Sequence, residues 1–144
     1  MILDYETCQK IMDSYKGIIT EREPIGWTAN EKLPIRHFTL GSGPKQVVVT
    51  GGQHANEIIT VTFIIELMNY LSKNKIVFED LTIHFIPMLN PEGYVVISSA
   101  IKEKLGKNST DSEKIKFCFD YYKAFRNDTI NKDKSSNRMF FIWL

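Results

Sequence analysis

"VVVTGGQHANE", residues 47–57, takes a β-branched run into two glycines and then sets a histidine and a glutamate three positions apart. The run 46–50 is short, continuous and apolar, the pattern of a strand buried on both faces. Gly51 and Gly52 let the backbone turn sharply behind it. In residues 56–73, Ile58, Val61, Ile65 and Met68 recur at helical spacing, and the length favours a helix despite the β-branched content. "LTIHFIPML" (81–89) reads as a second strand ending at Pro87. Strand, helix and strand within about 40 residues form a βαβ-like unit, so the expected class is α/β, a sheet with flanking helices.

Working outward, residues 1–16 read as a short amphipathic helix carrying Ile2, Leu3, Ile11, Met12 and Tyr15. Residues 17–40 suggest two strands joined by a turn, punctuated by Pro24, Gly26 and Pro34. "LGSGPKQ" (40–46) is glycine-rich, but neither a Lys-Ser/Thr pair nor a helix follows, so it is a turn and not a P-loop. Beyond Ile101 the character changes: 15 of the 36 residues 101–136 are charged. Acids and bases alternate there, which excludes a nucleic-acid patch. A helix over "DSEKIKFCFDYYKAFRN" (111–127), with Ile115, Phe119, Tyr122 and Phe125 on one stripe, reads as packed core or packed lid.

The bulk composition narrows the class. The chain has 144 residues, 43% hydrophobic and 24% charged, with a net charge of +1. That is one globular domain without a field directed at nucleic acid or an anionic membrane. Cys8 and Cys118 match no disulfide or zinc-ribbon spacing and are expected as buried thiols. The N-terminus has no signal-peptide pattern and no apolar run reaches membrane-spanning length, so a cytoplasmic protein is expected.

His54 and Glu57 fall just past the end of the first strand, where open α/β sheets place their ligands. An imidazole and a carboxylate one helical turn apart suit Zn²⁺, which in catalytic sites takes three protein ligands and a water. The alternative is Glu57 in a first helical turn, favoured by the helix dipole. "NPEGY" (90–94), after the second strand, satisfies a type I turn through Asn90, Pro91 and Gly93. His37 and His84 lie on strands and are expected to be structural.

Together, "GGQHANE" and "NPEGY", separated by one helix and one strand, resemble the zinc carboxypeptidase (M14 metallopeptidase) family, with "SSNRMF" (135–140) as a third match. The resemblance covers roughly residues 18–140. It implies a mixed β-sheet with flanking helices, the zinc-carboxypeptidase-like (phosphorylase/hydrolase-like) fold in incomplete form. It implies Zn²⁺ on His54 and Glu57, and a peptide or small amide as substrate. Arg138 is implied near the substrate, either in the first Asn-Arg stretch of the family or as the later pair that holds a terminal carboxylate through bidentate contacts; a plain surface arginine is the other reading.

The family reaction hydrolyses the C-terminal residue of a peptide with zinc-activated water and a glutamate base. The family's third zinc ligand, a histidine, and its catalytic glutamate lie downstream of these motifs, and no histidine follows His84 in this sequence. No catalytic residue is therefore assigned, and the chain alone is expected to be inactive. The expected layout is one truncated domain: helix 1–16, a sheet core with the zinc motif over 17–94, a charged helical insertion over 95–136, and an aberrant apolar tail over 137–144. Missing later strands should leave a sheet edge exposed for self-association. Two other readings stand beside this one. Aspartoacylase and succinylglutamate desuccinylase enzymes share the Asn-Glu of the zinc motif, although "NPEGY" favours the peptidases. A non-catalytic interaction protein could retain a relic of the site.

Overall fold

The βαβ unit is present, and the remaining strands are laid against one side of it. The computed structural model describes residues 1–106 and 108–131. In chain order the elements are α1 (Tyr5–Asp13), β1 (Ile19–Trp27), β2 (Pro34–Leu40), β3 (Lys45–Thr50), α2 (Ile58–Lys73), β4 (Leu81–Ile86), α3 (Pro91–Leu105) and α4 (Asp111–Asn131). The four strands form one mixed sheet in the order β1-β2-β4-β3. β3 and β4 run parallel, with Val49 opposite Phe85 and Thr50 opposite Ile86. β2 pairs antiparallel with β4 and with β1. This is the expected mixed α/β architecture.

Period-2 alternation separates the two faces of the sheet. Phe38 and Phe85, paired across β2 and β4, are fully buried on one face. All four helices contribute to the core on that side: Cys8 and Met12 from α1, Ile58, Val61, Ile65 and Met68 from α2, Tyr94, Ile97 and Ile101 from α3, and Cys118 from α4. The α2 stripe read from the sequence is the buried one. Tyr94 ties α3 to the N-terminal segment, because its hydroxyl donates to the Leu3 carbonyl at 2.8 Å while its ring is buried. Both cysteines are buried and unpaired. Burial pushes the Cys8 thiol up to about 12 and the Cys118 thiol to about 11, so neither is a reactive thiolate at neutral pH.

Four expectations are corrected. The 46–50 strand is not buried on both faces: β3 is the last strand of the described sheet, and Val47 and Val48 are exposed. An apolar run reports propensity to pair, and it cannot say whether a second neighbour is there. "NPEGY" is not an isolated turn but the start of α3. Asn90 is its N-cap, accepting from the Gly93 amide at 2.9 Å, and Pro91 occupies the first turn, where its missing N–H costs nothing. α3 then runs through position 95 into the core, so the region after Tyr94 does not begin as a charged insertion. In α4 the inward side carries Cys118 with the partly buried Ile115, whereas Phe119 is exposed. The side chain of Phe125, Arg138 and the tail 137–144 lie outside the described residues. Among the described residues no helix is long and apolar enough to cross a membrane.

The buried and exposed sides of α2 can be told apart by substitution. Met68→Ala, which empties a fully buried site, should cost about 2–5 kcal/mol. Phe63→Ser, on the exposed side, should change stability by about 0.5 kcal/mol or less. Urea unfolding curves give both values, and comparable losses would contradict the packing described here.

Candidate metal centre

The β3–β4 pairing continues past the strand ends and builds the site. The Gly51 amide donates to Ile86 O at 3.1 Å, Leu89 N to Gly51 O at 2.8 Å, and Asn90 N to Gly52 O at 2.9 Å. These bonds hold the two loops bearing "GGQHANE" and "NPEGY" side by side. Both glycines are required. Gly52 has φ +59°, and a Cβ there would stand 2.6 Å from the Val61 side chain; one on Gly51 would meet Ile64 at 2.8 Å and two carbonyls at 3.0 Å. A Cβ on Gly93 would meet Ala55 at 3.0 Å, so the two motifs also touch directly.

His54 and Glu57 are brought together. The His54 ring Nδ1 lies 2.8 Å from Glu57 Oε1, and the other carboxylate oxygen accepts from the His54 amide at 3.2 Å. Both side chains are a little over one-third exposed, at 36% and 39%. Glu57 stands at the N-cap of α2, but its side chain makes no capping bond. A sequence reading that stops at His54 and Glu57 overlooks Thr60, whose hydroxyl accepts from the Gly52 amide at 2.9 Å and donates to Glu57 O at 2.7 Å. It holds the glycine turn against the helix start. A threonine three positions into a helix after a glycine pair was the available signal.

The pair fits a zinc ion. Zinc takes imidazole nitrogen and carboxylate oxygen at about 2.0–2.2 Å, so donor atoms 2.8 Å apart can both reach one ion from the same side. Among the described residues no group of three or more His, Cys, Asp or Glu side chains is assembled. The other two histidines face each other on β2 and β4. Beside Asn90, a cavity of about 220 Å³ is lined by Trp27, Thr28, Ile35, Leu89 and Glu92. Asn30 donates to Glu92 at 2.9 Å, tying the β1–β2 turn to the start of α3. A cavity of about 500 Å³ lies on the helical side among Leu3, Asp4, Tyr94 and Lys102 and does not include His54 or Glu57.

The profile of the zinc carboxypeptidase family matches residues 5–139, and the chain belongs to that family. No curated protein sequence matches it significantly. Among solved structures, a metallo-carboxypeptidase from Burkholderia cenocepacia superposes with a TM-score of 0.56 at 18% identity, over 84% of this chain and 38% of the other. Bovine thrombin-activatable fibrinolysis inhibitor, in complex with tick carboxypeptidase inhibitor, gives 0.55 at 16% identity, over 74% and 35%. Carboxypeptidase A from Helicoverpa armigera gives 0.51 at 20% identity, over 65% and 26%. These likenesses are of fold, and the chain spans little more than a third of the first two proteins.

Gly52→Ala tests the construction of the turn. A side chain at positive φ costs about 1–2 kcal/mol, and the Val61 contact adds to it. The variant should melt lower and bind zinc more weakly than the parent; thermal unfolding and zinc titration check the two effects, and an unchanged protein would refute the role given to Gly52.

Proposed function

We propose that His54 and Glu57 are zinc ligands of a metallocarboxypeptidase-type site whose substrates are peptides or small amides. The observation that carries this reading is the orientation of Glu57. At a helix start, a carboxylate is expected to turn towards the free amides. Glu57 instead meets His54 with both oxygens, while Thr60 secures the turn. Bound there, zinc would supply Lewis acidity towards a scissile carbonyl. The chain's own part is to hold two donors in place on a glycine turn and to present the Asn90–Glu92 edge beside them. Arg138, by the family resemblance, would serve substrate binding.

Two protein ligands hold zinc less firmly than the three of a catalytic site, and among the described residues no third His, Cys, Asp or Glu is assembled with the pair. The chain alone should therefore bind zinc and turn over little or no peptide. Calorimetric titration of the purified chain should show zinc binding that is lost in His54→Ala and reduced in Glu57→Gln, with folding of each variant confirmed by circular dichroism. Binding unaffected by both changes would remove His54 and Glu57 from the site. Chelator-sensitive release of a C-terminal residue by the unassisted chain would show that the catalytic set is more complete than proposed.

We propose further that the outer edge of β3 is the surface through which the chain associates with itself. Its outward backbone groups meet no described strand, and Val47 and Val48 add exposed apolar area. Light scattering after size exclusion should show oligomers that diminish in Val48→Lys; a monodisperse parent monomer would overturn the proposal.

A further inference from the structure

The face of the sheet opposite the helices carries a second pair of imidazoles. His37 on β2 and His84 on β4 lie on that face, since Phe38 and Phe85, their neighbours in sequence, point into the core. His37 Nε2 stands 2.9 Å from His84 Nδ1, with the rings inclined by only 14° and their centres 5.1 Å apart. Those values place the rings almost end to end in one plane, with the two nitrogens aimed at each other.

The far side of each ring is already engaged. His84 Nε2 is 2.6 Å from Gln46 Oε1. The Gln46 amide nitrogen is occupied with the Gly43 and Pro44 carbonyls at 3.1 and 3.3 Å, so its oxygen can only accept and His84 must donate through Nε2. The lone pair of neutral His84 is then on Nδ1, directed at His37. The His37 ring in turn has a hydrogen bond with the Glu23 backbone in the sense that favours an N–H on the imidazole. When both outer nitrogens donate, both inner nitrogens present lone pairs to the same point. This is the arrangement of metal-binding histidines, whose second ring nitrogen donates to a carbonyl, amide or carboxylate that fixes the tautomer and the ring direction.

We propose that His37 and His84 form a two-imidazole site for a divalent first-row transition ion, separate from His54 and Glu57. Imidazole suits copper, zinc and nickel, and affinity at such donors rises to Cu²⁺ along the divalent series. With the two lone pairs aimed along one line, an ion about 2.0–2.1 Å from each nitrogen requires the rings to part from 2.9 Å to about 4 Å, or to swing until both lone pairs meet beside that line. Both ligands stand on paired strands, which hold their directions better than a loop would. The remaining coordination positions face away from the core and would be filled by water. One nearby group opposes the ion: Arg22, opposite His37 on β1, donates to Thr39 at 2.8 Å and holds its positive charge on the same face. The site should accordingly be weaker than an all-protein structural zinc site.

The test uses the chain carrying His54→Ala and Glu57→Gln, so that the other pair cannot answer for this one. Titrated with Cu²⁺, it should bind one ion and give an electron paramagnetic resonance spectrum with coupling to two imidazole nitrogens. His37→Ala or His84→Ala should abolish that signal, and Gln46→Ala should weaken binding by about 10–100-fold, the usual effect of removing a residue that orients a ligand. A second measurement needs no change at either histidine. Zn²⁺ added to the same protein should move the imidazole resonances of both His37 and His84. Unmoved resonances, or copper binding that survives His84→Ala, would overturn the site.

Discussion

The parallel pairing of β3 with β4 does not stop where the strands do, and the site exists because it continues. Three further backbone bonds, ending at Asn90 N to Gly52 O, carry the register into the two loops. They bring together segments separated by a 16-residue helix and a strand, and they do so without help from any side chain. The requirement is strict: two chains this close leave no room for a Cβ on Gly51 or Gly52. A Cβ on Gly51 would press on Pro87 O at the end of the neighbouring strand, whereas one on Gly52 would strike the Val61 side chain of α2. The sequence "TGGQHANE" is thus a statement about backbone approach first and about ligands second.

What could be read from the sequence follows the range of the interactions involved. α2 was legible because its buried residues recur at helical spacing within one element. The four strands were legible from local propensity and from the prolines and glycines between them. α3 was not, because its sequence "VVISSA" is β-branched and of low helix propensity. Tertiary contacts through Tyr94, Ile97 and Ile101 stabilise it instead. The edge position of β3 was not legible either, since a strand's neighbours are set by the whole sheet. Phe119 was misplaced because large aromatics were taken for the packed stripe, when the smaller Cys118 is the residue that fits against the core. His54 and Glu57 could be named as a pair from spacing. Their mutual contact, and the part played by Thr60, required coordinates.

Glu57 breaks a local rule, and the break is informative. A helix of mean apolar character with no acid in its first turn and an unused acid at its N-cap forgoes a stabilisation of about 1 kcal/mol. Functional sites are where sequences depart from local optimality. The carboxylate is held instead on both sides of His54, by the ring and by the amide. In that geometry Nδ1 carries the proton shared with Oε1. A metal ion binding through both atoms must displace that proton.

The two histidine pairings solve opposite electrostatic problems. At His54 the partner is an anion on a turn, so a cation entering there gains a compensating charge, while its ligands keep some freedom to adjust. At His37 and His84 the partners are neutral, a glutamine oxygen and backbone, and a guanidinium lies on the same face. There the attraction for an ion comes from direction alone, through two lone pairs held on a rigid sheet. As a metal site, the His54 pair would favour harder, more highly charged ions by Coulomb attraction. The strand pair favours ions that form strong bonds to nitrogen, because neutral donors beside a positive charge reward bond strength over ionic attraction. A chain with both would sort metals by chemistry and not by cavity size.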